Sequence, residues 1–400
     1  MRPTPLRAEV MVVEDVPTAA PEAIRRDSRD LEGADAVRFW AALVIVLYHA
    51  LLLPGLEPPG SFPVIRNFGG FGVPLFFTLS AFVLCFGYHG RLETAAAMRA
   101  FYWRRLFRIA PLFYVVGAVS LAFFYVAYDR VVGVADILTS ATFTFGLFPQ
   151  HYTGFVWASW SIGVEMLFYA VFPILALVVR TWRSATVAFI ASTIIAALWA
   201  QGFKGASADL QGFASLALPA KLPYFCGGML AFFAWHAIGD QARWRTVLLF
   251  VSLAAIGAMI HFAVPVQMLS GRMLGWDHSR AGMIMLWALV LGILTIGMGF
   301  SRFNRPWLAW TATLGKASFG LYLWHPLLIG MLHVMGAYRF LYAFAPATPG
   351  FGYVTSAAMT LTLLVPLALA SYRWVERPGL ALARRGDSQR DAPSPAAVSA

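Results

Sequence analysis

The sequence predicts an all-α polytopic membrane protein with about ten transmembrane helices and both termini on the cytoplasmic side. Three observations lead there. Of the 400 residues, 60% are hydrophobic and 12% charged, far below the charged share of a soluble domain, and mean hydropathy is +0.69. Apolar windows of about 20 residues, the length that crosses a bilayer as a helix, recur along the chain. When these windows are threaded alternately across a membrane, 23 of the 30 Lys and Arg residues fall on one side, the asymmetry that marks cytoplasmic segments.

In order, the windows are 36–53, 70–88, 107–127, 158–180, 184–201, 214–236, 245–264, 281–299, 315–335 and 352–374. The segment 133–148 is apolar but short, and is expected to dip into the membrane without crossing. Residues 1–30 hold prolines, acids and arginines; their longest apolar stretch is too short for a signal-peptide core, so they read as a flexible cytoplasmic tail. Residues 379–400, rich in Ala, Ser, Pro and Arg, read the same way. Between them lies one transmembrane domain, 31–378, without a 20–50-residue repeat.

The chain is basic, with 30 Lys and Arg against 19 Asp and Glu. In so apolar a chain the excess encodes topology rather than nucleic-acid binding. Cys85 and Cys226 both fall in apolar runs, which supports neither a disulfide framework nor a metal cluster, and no HExxH-like spacing calls for a metal.

Polar groups inside the windows are the candidates for chemistry, because ionisable side chains at membrane depth are costly. Arg38 and His49 are eleven residues apart, which returns them to one helix face about 16 Å apart along the axis. Arg38 would stand at the cytoplasmic border and His49 in the outer part of the bilayer. A border charge with an interfacial histidine is the plainer alternative. The fourth window runs the other way and places Glu165, the one carboxylate inside the ten windows, at a comparable depth. It needs a partner or a wet cavity; His49 is the expected partner, with Ser161 one turn away. In the ninth window Ser318, Tyr322 and His325 share a stripe, read as a polar packing seam for Ser318 and Tyr322 with a site role for His325.

Between the second and third windows, Met98 to Pro111 alternates arginines with aromatics. This is the pattern of an interfacial helix anchored among headgroups. Arg104, Arg105 and Arg108 are also spaced to form a cytoplasmic anion site, since the guanidinium fork suits phosphate.

Asp35 to His49 resembles the opening of the membrane-bound acyltransferase 3 family, with its Asp and its Arg-ten residues-His pattern; Ala36 and Val37 stand where Gly and Leu are frequent. Four later segments resemble the family in order: Gly72 to Ser80, Phe101 to Pro111, Trp160 to Glu165, and Ser318 to His325. Glu376-Arg377-Pro378 ends the match. Ala81 replaces the usual Gly, and Met166 and Leu167 follow Glu165 in place of Glu and Gln.

The resemblance implies a multi-pass enzyme of the bacterial inner membrane that moves an acyl group, usually acetyl from acetyl-CoA, onto a sugar hydroxyl. The acceptor would be lipopolysaccharide, exopolysaccharide or another glycan, a lipid-linked sugar, a lipid or a macrolide. His49 would be the base, with Glu165 orienting it; Arg38, Arg104, Arg105 and Arg108 would hold the CoA phosphates, and Asp35, Ser161, Tyr322 and His325 would support. The expected partners are the glycan acceptor, membrane lipids and glycan-biosynthesis proteins, with no nucleic acid. Buried His and Glu would equally serve proton coupling in a secondary transporter or glycan exporter, although no matched pair of broken helices marks inverted repeats.

Overall fold

A chain this apolar must satisfy its peptide groups internally when it enters lipid, and it does so with helices. A computed structural model describes residues 32–58, 60–238, 242–274, 276–299, 306–344, 348 and 350–388. The expected tail 1–30 and residues 389–400 lie outside the described residues.

The first half of the chain runs α1 (Glu32–Leu52), α2 (Pro63–Phe68), α3 (Gly72–Tyr88), α4 (Ala95–Tyr128), α5 (Val134–Ala141), α6 (Trp160–Val178) and α7 (Trp182–Gly202). The second runs α8 (Ala208–Leu216), α9 (Leu218–Ile238), α10 (Ala242–Leu274), α11 (Trp276–Gly299), α12 (Pro306–Lys316), α13 (Ser318–Val334), α14 (Ala337–Phe344), α15 (Phe351–Ser371) and α16 (Arg377–Ser388), with a π-helical turn at Tyr372–Glu376 before α16. Among the described residues seven helices are long and apolar enough to cross a bilayer, or nine when two bent pairs each count as one span. The bends are 60° within α10 and 70° between α12 and α13, and Gly282–Met298 of α11 is an apolar helix of shorter length. The multi-pass helical architecture stands, and the expected ten differ from this count at the bent and short members.

Helix α1 is central, packed against α3, α11, α12 and α13. Its contact with α12 is close because Gly315 lies against the α1 backbone, where a Cβ would fall 1.8 Å from the Asp35 carbonyl oxygen. A second close crossing seats Gly228 of α9 against the Thr78 carbonyl of α3. Around these crossings aromatic rings fill the core: Phe225 stacks on Phe168 at 3.9 Å and on Phe77 at 4.7 Å between centroids. Large apolar side chains on the outer stripe of α7, including Val187, Ile194 and Leu198, are exposed, as a lipid-facing surface requires.

Two expectations are corrected. The arginine-aromatic segment is not a separate interfacial helix but the first turns of the 34-residue α4, which continues through Pro111; one lost backbone bond does not end a helix held by neighbours. Residues 379–388 are not a tail: α16 packs on α4, with Gly379 against the Phe107 carbonyl. The expected 158–180 span is present as α6, Trp160–Val178, after a turn-rich stretch. Within 133–148, Phe143 at the turn, with φ of 57°, is buried against Phe113 and Tyr114 about midway along α4.

Candidate active site

Two cavities within the bundle border the contact between Tyr322 and Ala158. The inner one, about 100 Å³, is lined by Arg38, Arg105, Arg108, Ser161, Glu165 and Tyr322 of the expected set, joined by Ser80, Tyr169 and Ser318. Its volume suits a few water-sized groups. The other, about 460 Å³, is lined by His49 with Trp157, Ala158, Trp160 and His333.

At the inner cavity the cations are already engaged. Arg38 pairs with Asp35 one turn earlier on α1. Arg105 lies over the rings of Tyr88, Phe101 and Tyr169 at 5.4, 5.8 and 5.7 Å and donates to the Tyr88 hydroxyl at 3.3 Å. Arg108 stands 3.6 Å from Glu376, a carboxylate 1% exposed whose oxygens accept no hydrogen bond. Arg104 is exposed and does not line the cavity, but it acts on the same Tyr88 hydroxyl that Arg105 reaches.

Glu165 is not paired with His49, contrary to expectation. Its Oε1 accepts from the Ser80 hydroxyl at 2.8 Å and from the Tyr169 hydroxyl. The reason is the register of α6. Ser161 takes the level of Tyr322, which leaves Glu165 a turn deeper, about 6 Å, facing α3 and α4. Ser80 and Tyr169 were missed, although Tyr169 continues the Ser161, Glu165 stripe at four-residue spacing and Ser80 closes the Gly72 to Ser80 segment. Glu376 was missed because it falls just past the last apolar window.

His49 pairs instead with His325. Its Nδ1 lies 2.8 Å from His325 Nε2, and the rings stack at 4.9 Å. His325 is fully buried and its Nδ1 bonds to the Tyr322 carbonyl. A carbonyl only accepts, so His325 Nδ1 carries hydrogen; in the neutral ring Nε2 is then the acceptor, and His49 Nδ1 must donate to it. His49 Nε2 is left with a lone pair. This order follows from the bond pattern, since hydrogens are assigned from it.

Between the cavities stands a hydroxyl partition. The Tyr322 hydroxyl bonds Ser161 Oγ at 2.6 Å and donates to the Ala158 carbonyl at 2.8 Å. Since its proton goes to Ala158, Ser161 donates to Tyr322. Ala158, whose positive φ of 61° turns the chain into α6, thereby connects the His49 cavity to the inner one. Among the described residues no group of three or more His, Cys, Asp or Glu could hold a metal ion.

The chain is similar over much of its length to two known proteins. Exopolysaccharide production protein ExoZ of Rhizobium meliloti (strain 1021) is 27% identical over 330 residues, covering 80% of this chain and 92% of that protein. Nodulation protein 10 of Rhizobium leguminosarum bv. viciae is 27% identical over 283 residues, covering 61% and 75%. No solved structure matches significantly. The acyltransferase domain profile spans residues 31–371, from the start of α1 to the end of α15 and so across both cavities, and by that match the chain belongs to the acyltransferase 3 family of multi-pass membrane acyltransferases.

Proposed function

We propose that the protein is an integral O-acyltransferase of the bacterial inner membrane that moves an acyl group, acetyl in the simplest case, from cytoplasmic acyl-CoA to a hydroxyl of an exported polysaccharide. The observation that carries the reading is the His49–His325–Tyr322 carbonyl chain, which leaves a proton acceptor on His49 at the cavity opposite the arginine-lined one. The bias of basic residues supports ten spans with both ends inside, and puts the His49 cavity outermost. The name of the Rhizobium meliloti relative supports an exopolysaccharide acceptor.

In this reading the acceptor hydroxyl enters the outer cavity and gives its proton to His49 Nε2 as its oxygen attacks the thioester carbonyl. The new C–O bond forms, the C–S bond breaks, and the CoA sulfur leaves as thiolate to be protonated. His325 holds the His49 ring in the required tautomer, the task a carboxylate performs in hydrolase triads. Glu165 then serves the inner cavity, where it fixes Ser80 and Tyr169 beside Arg105. The inner cavity is too small for a nucleotide, so only the thin acyl-bearing end of the donor fits between Arg38, Arg105 and Arg108, and the phosphates would remain at the cytoplasmic mouth near Arg104. Acyl transfer to polysaccharide in cells carrying His49→Ala, at protein amounts equal to wild type, tests this: it falls by about 10²–10⁴-fold if His49 is the base. Unchanged acylation removes His49 from the reaction.

A further inference from the structure

At the end of the bundle that carries His49, a second pocket of about 520 Å³ opens between α7, α8, α9 and α11. Lys204, Lys221 and Arg280 line it together with Gln211, Ser215 and Thr193, and among the described residues no acidic side chain does. A cleft whose charged lining is of one sign raises the local potential and attracts an anion. Among the described residues Lys221 makes no ion pair. Its amine lies 5.5 Å from the centroid of Trp160, and Trp160 is also a wall of the His49 cavity. One indole thus separates the basic pocket from the proposed base. Trp160 and Trp157 border the His49 cavity, and such rings have flat apolar faces, suited to the CH side of a sugar.

We propose that the Lys221 and Arg280 pocket binds a carboxylate or phosphate carried by the acceptor glycan, next to the sugar whose hydroxyl is served by His49. The inference rests on the acyltransferase reading and deepens it: the acceptor is an acidic polysaccharide, held by its charge on one side of Trp160 and acylated on the other. Arginine supplies a planar fork for such a group and lysine a point charge. Gln211 anchors its amide nitrogen to the Ala206 carbonyl at 2.7 Å, which leaves its oxygen as an acceptor for a neighbouring sugar hydroxyl.

Binding is measured without any acyl donor, on the full chain in phosphatidylcholine nanodiscs titrated with trigalacturonate and with neutral galactotriose. Wild type prefers the acidic trimer by about tenfold, the size of one charge-assisted contact, and the preference shrinks as salt rises. Lys221→Met with Arg280→Gln binds both trimers equally. Because Lys221 packs on Trp160, its replacement can fail to fold, so Arg280→Gln, at an exposed position, is measured alone and lowers the preference by about threefold. His49→Ala keeps the preference, which separates this proposal from the base assignment: lost acyl transfer with retained acidic preference defeats only the latter. No acidic preference in wild type, or one untouched by either variant, overturns the proposal. The titration is repeated in phosphatidylglycerol nanodiscs. Persistent trigalacturonate binding supports a glycan site; its abolition identifies the pocket as a lipid-headgroup site and overturns the glycan assignment.

Discussion

His325 Nε2 lies 2.8 Å from His49 Nδ1, with His325 Nδ1 bonded to the Tyr322 carbonyl. Two imidazoles here form the hydrogen-bond chain that an imidazole and a carboxylate form in hydrolase triads. His325 is therefore expected to act through His49. Removing its acceptor atom in His325→Ala lowers acyl transfer by about 10–100-fold, the range seen when an orienting partner is lost. His325→Gln places an amide oxygen near the former Nε2 and recovers much of the rate. Thiol release from acyl-CoA in the presence of polysaccharide measures both. Equal losses in Ala and Gln variants would mean that His325 only fills space.

Arg108 and Glu376 form the second relationship to test. A carboxylate 1% exposed without a hydrogen bond depends on the guanidinium 3.6 Å away, and removing one member of such a pair costs about 3–5 kcal/mol. Arg108→Met and Glu376→Gln should each lower thermal stability in detergent. The double variant should lose less than the two losses added, because neither buried charge is then left alone. Additive losses would show that the two groups do not interact.

Much of this was legible in the sequence, and what escaped did so for definable reasons. Apolar windows located the spans because lipid imposes length and composition on each helix separately. Arg38, Ser161, Glu165 and Tyr322 were found because charged or hydroxylated residues stand out in such windows, and they line one cavity. Partner choice was not legible. Comparable depth suggested His49 with Glu165, but the register of α6 sets Glu165 a turn deeper, and azimuth parts them further: α1 turns His49 toward α13, while α6 turns Glu165 toward Ser80 on α3. The Arg108 contact with Glu376 was hidden by a sequence separation of 268 residues and by the π-turn that carries Glu376 back into the bundle.

Gly315 controls how α12 reaches the Arg38 end of α1. A Cβ at this position would fall 1.8 Å from the Asp35 carbonyl oxygen and 2.3 Å from its carbon; both are backbone atoms that cannot rotate away. Gly315→Ala is therefore expected to separate α12 from α1 and disturb the Asp35–Arg38 pair, lowering both membrane accumulation and thermal stability. Gly257→Ala, where nothing lies within 4 Å, is the matched control and should be neutral. Wild-type behaviour of Gly315→Ala would show that the helices part without cost.

The hydroxyl partition makes the last prediction, because it lies between an arginine-lined cavity and a histidine-lined one. Tyr322 bonds both Ser161 and the Ala158 carbonyl. Tyr322→Phe keeps the ring but removes both bonds and leaves the carbonyl without that donor, a cost of about 1–3 kcal/mol at a buried position. Ser161→Ala removes one bond and leaves Tyr322 on Ala158. If the partition keeps water from the thioester until an acceptor displaces it, wild type releases one thiol per acyl group transferred. Tyr322→Phe then releases excess thiol by hydrolysis, and Ser161→Ala a smaller excess. The ratio of thiol released to acylated polysaccharide reads the effect independently of total rate. A ratio of one in all three proteins would assign the partition to packing, and the barrier to water would have to lie elsewhere.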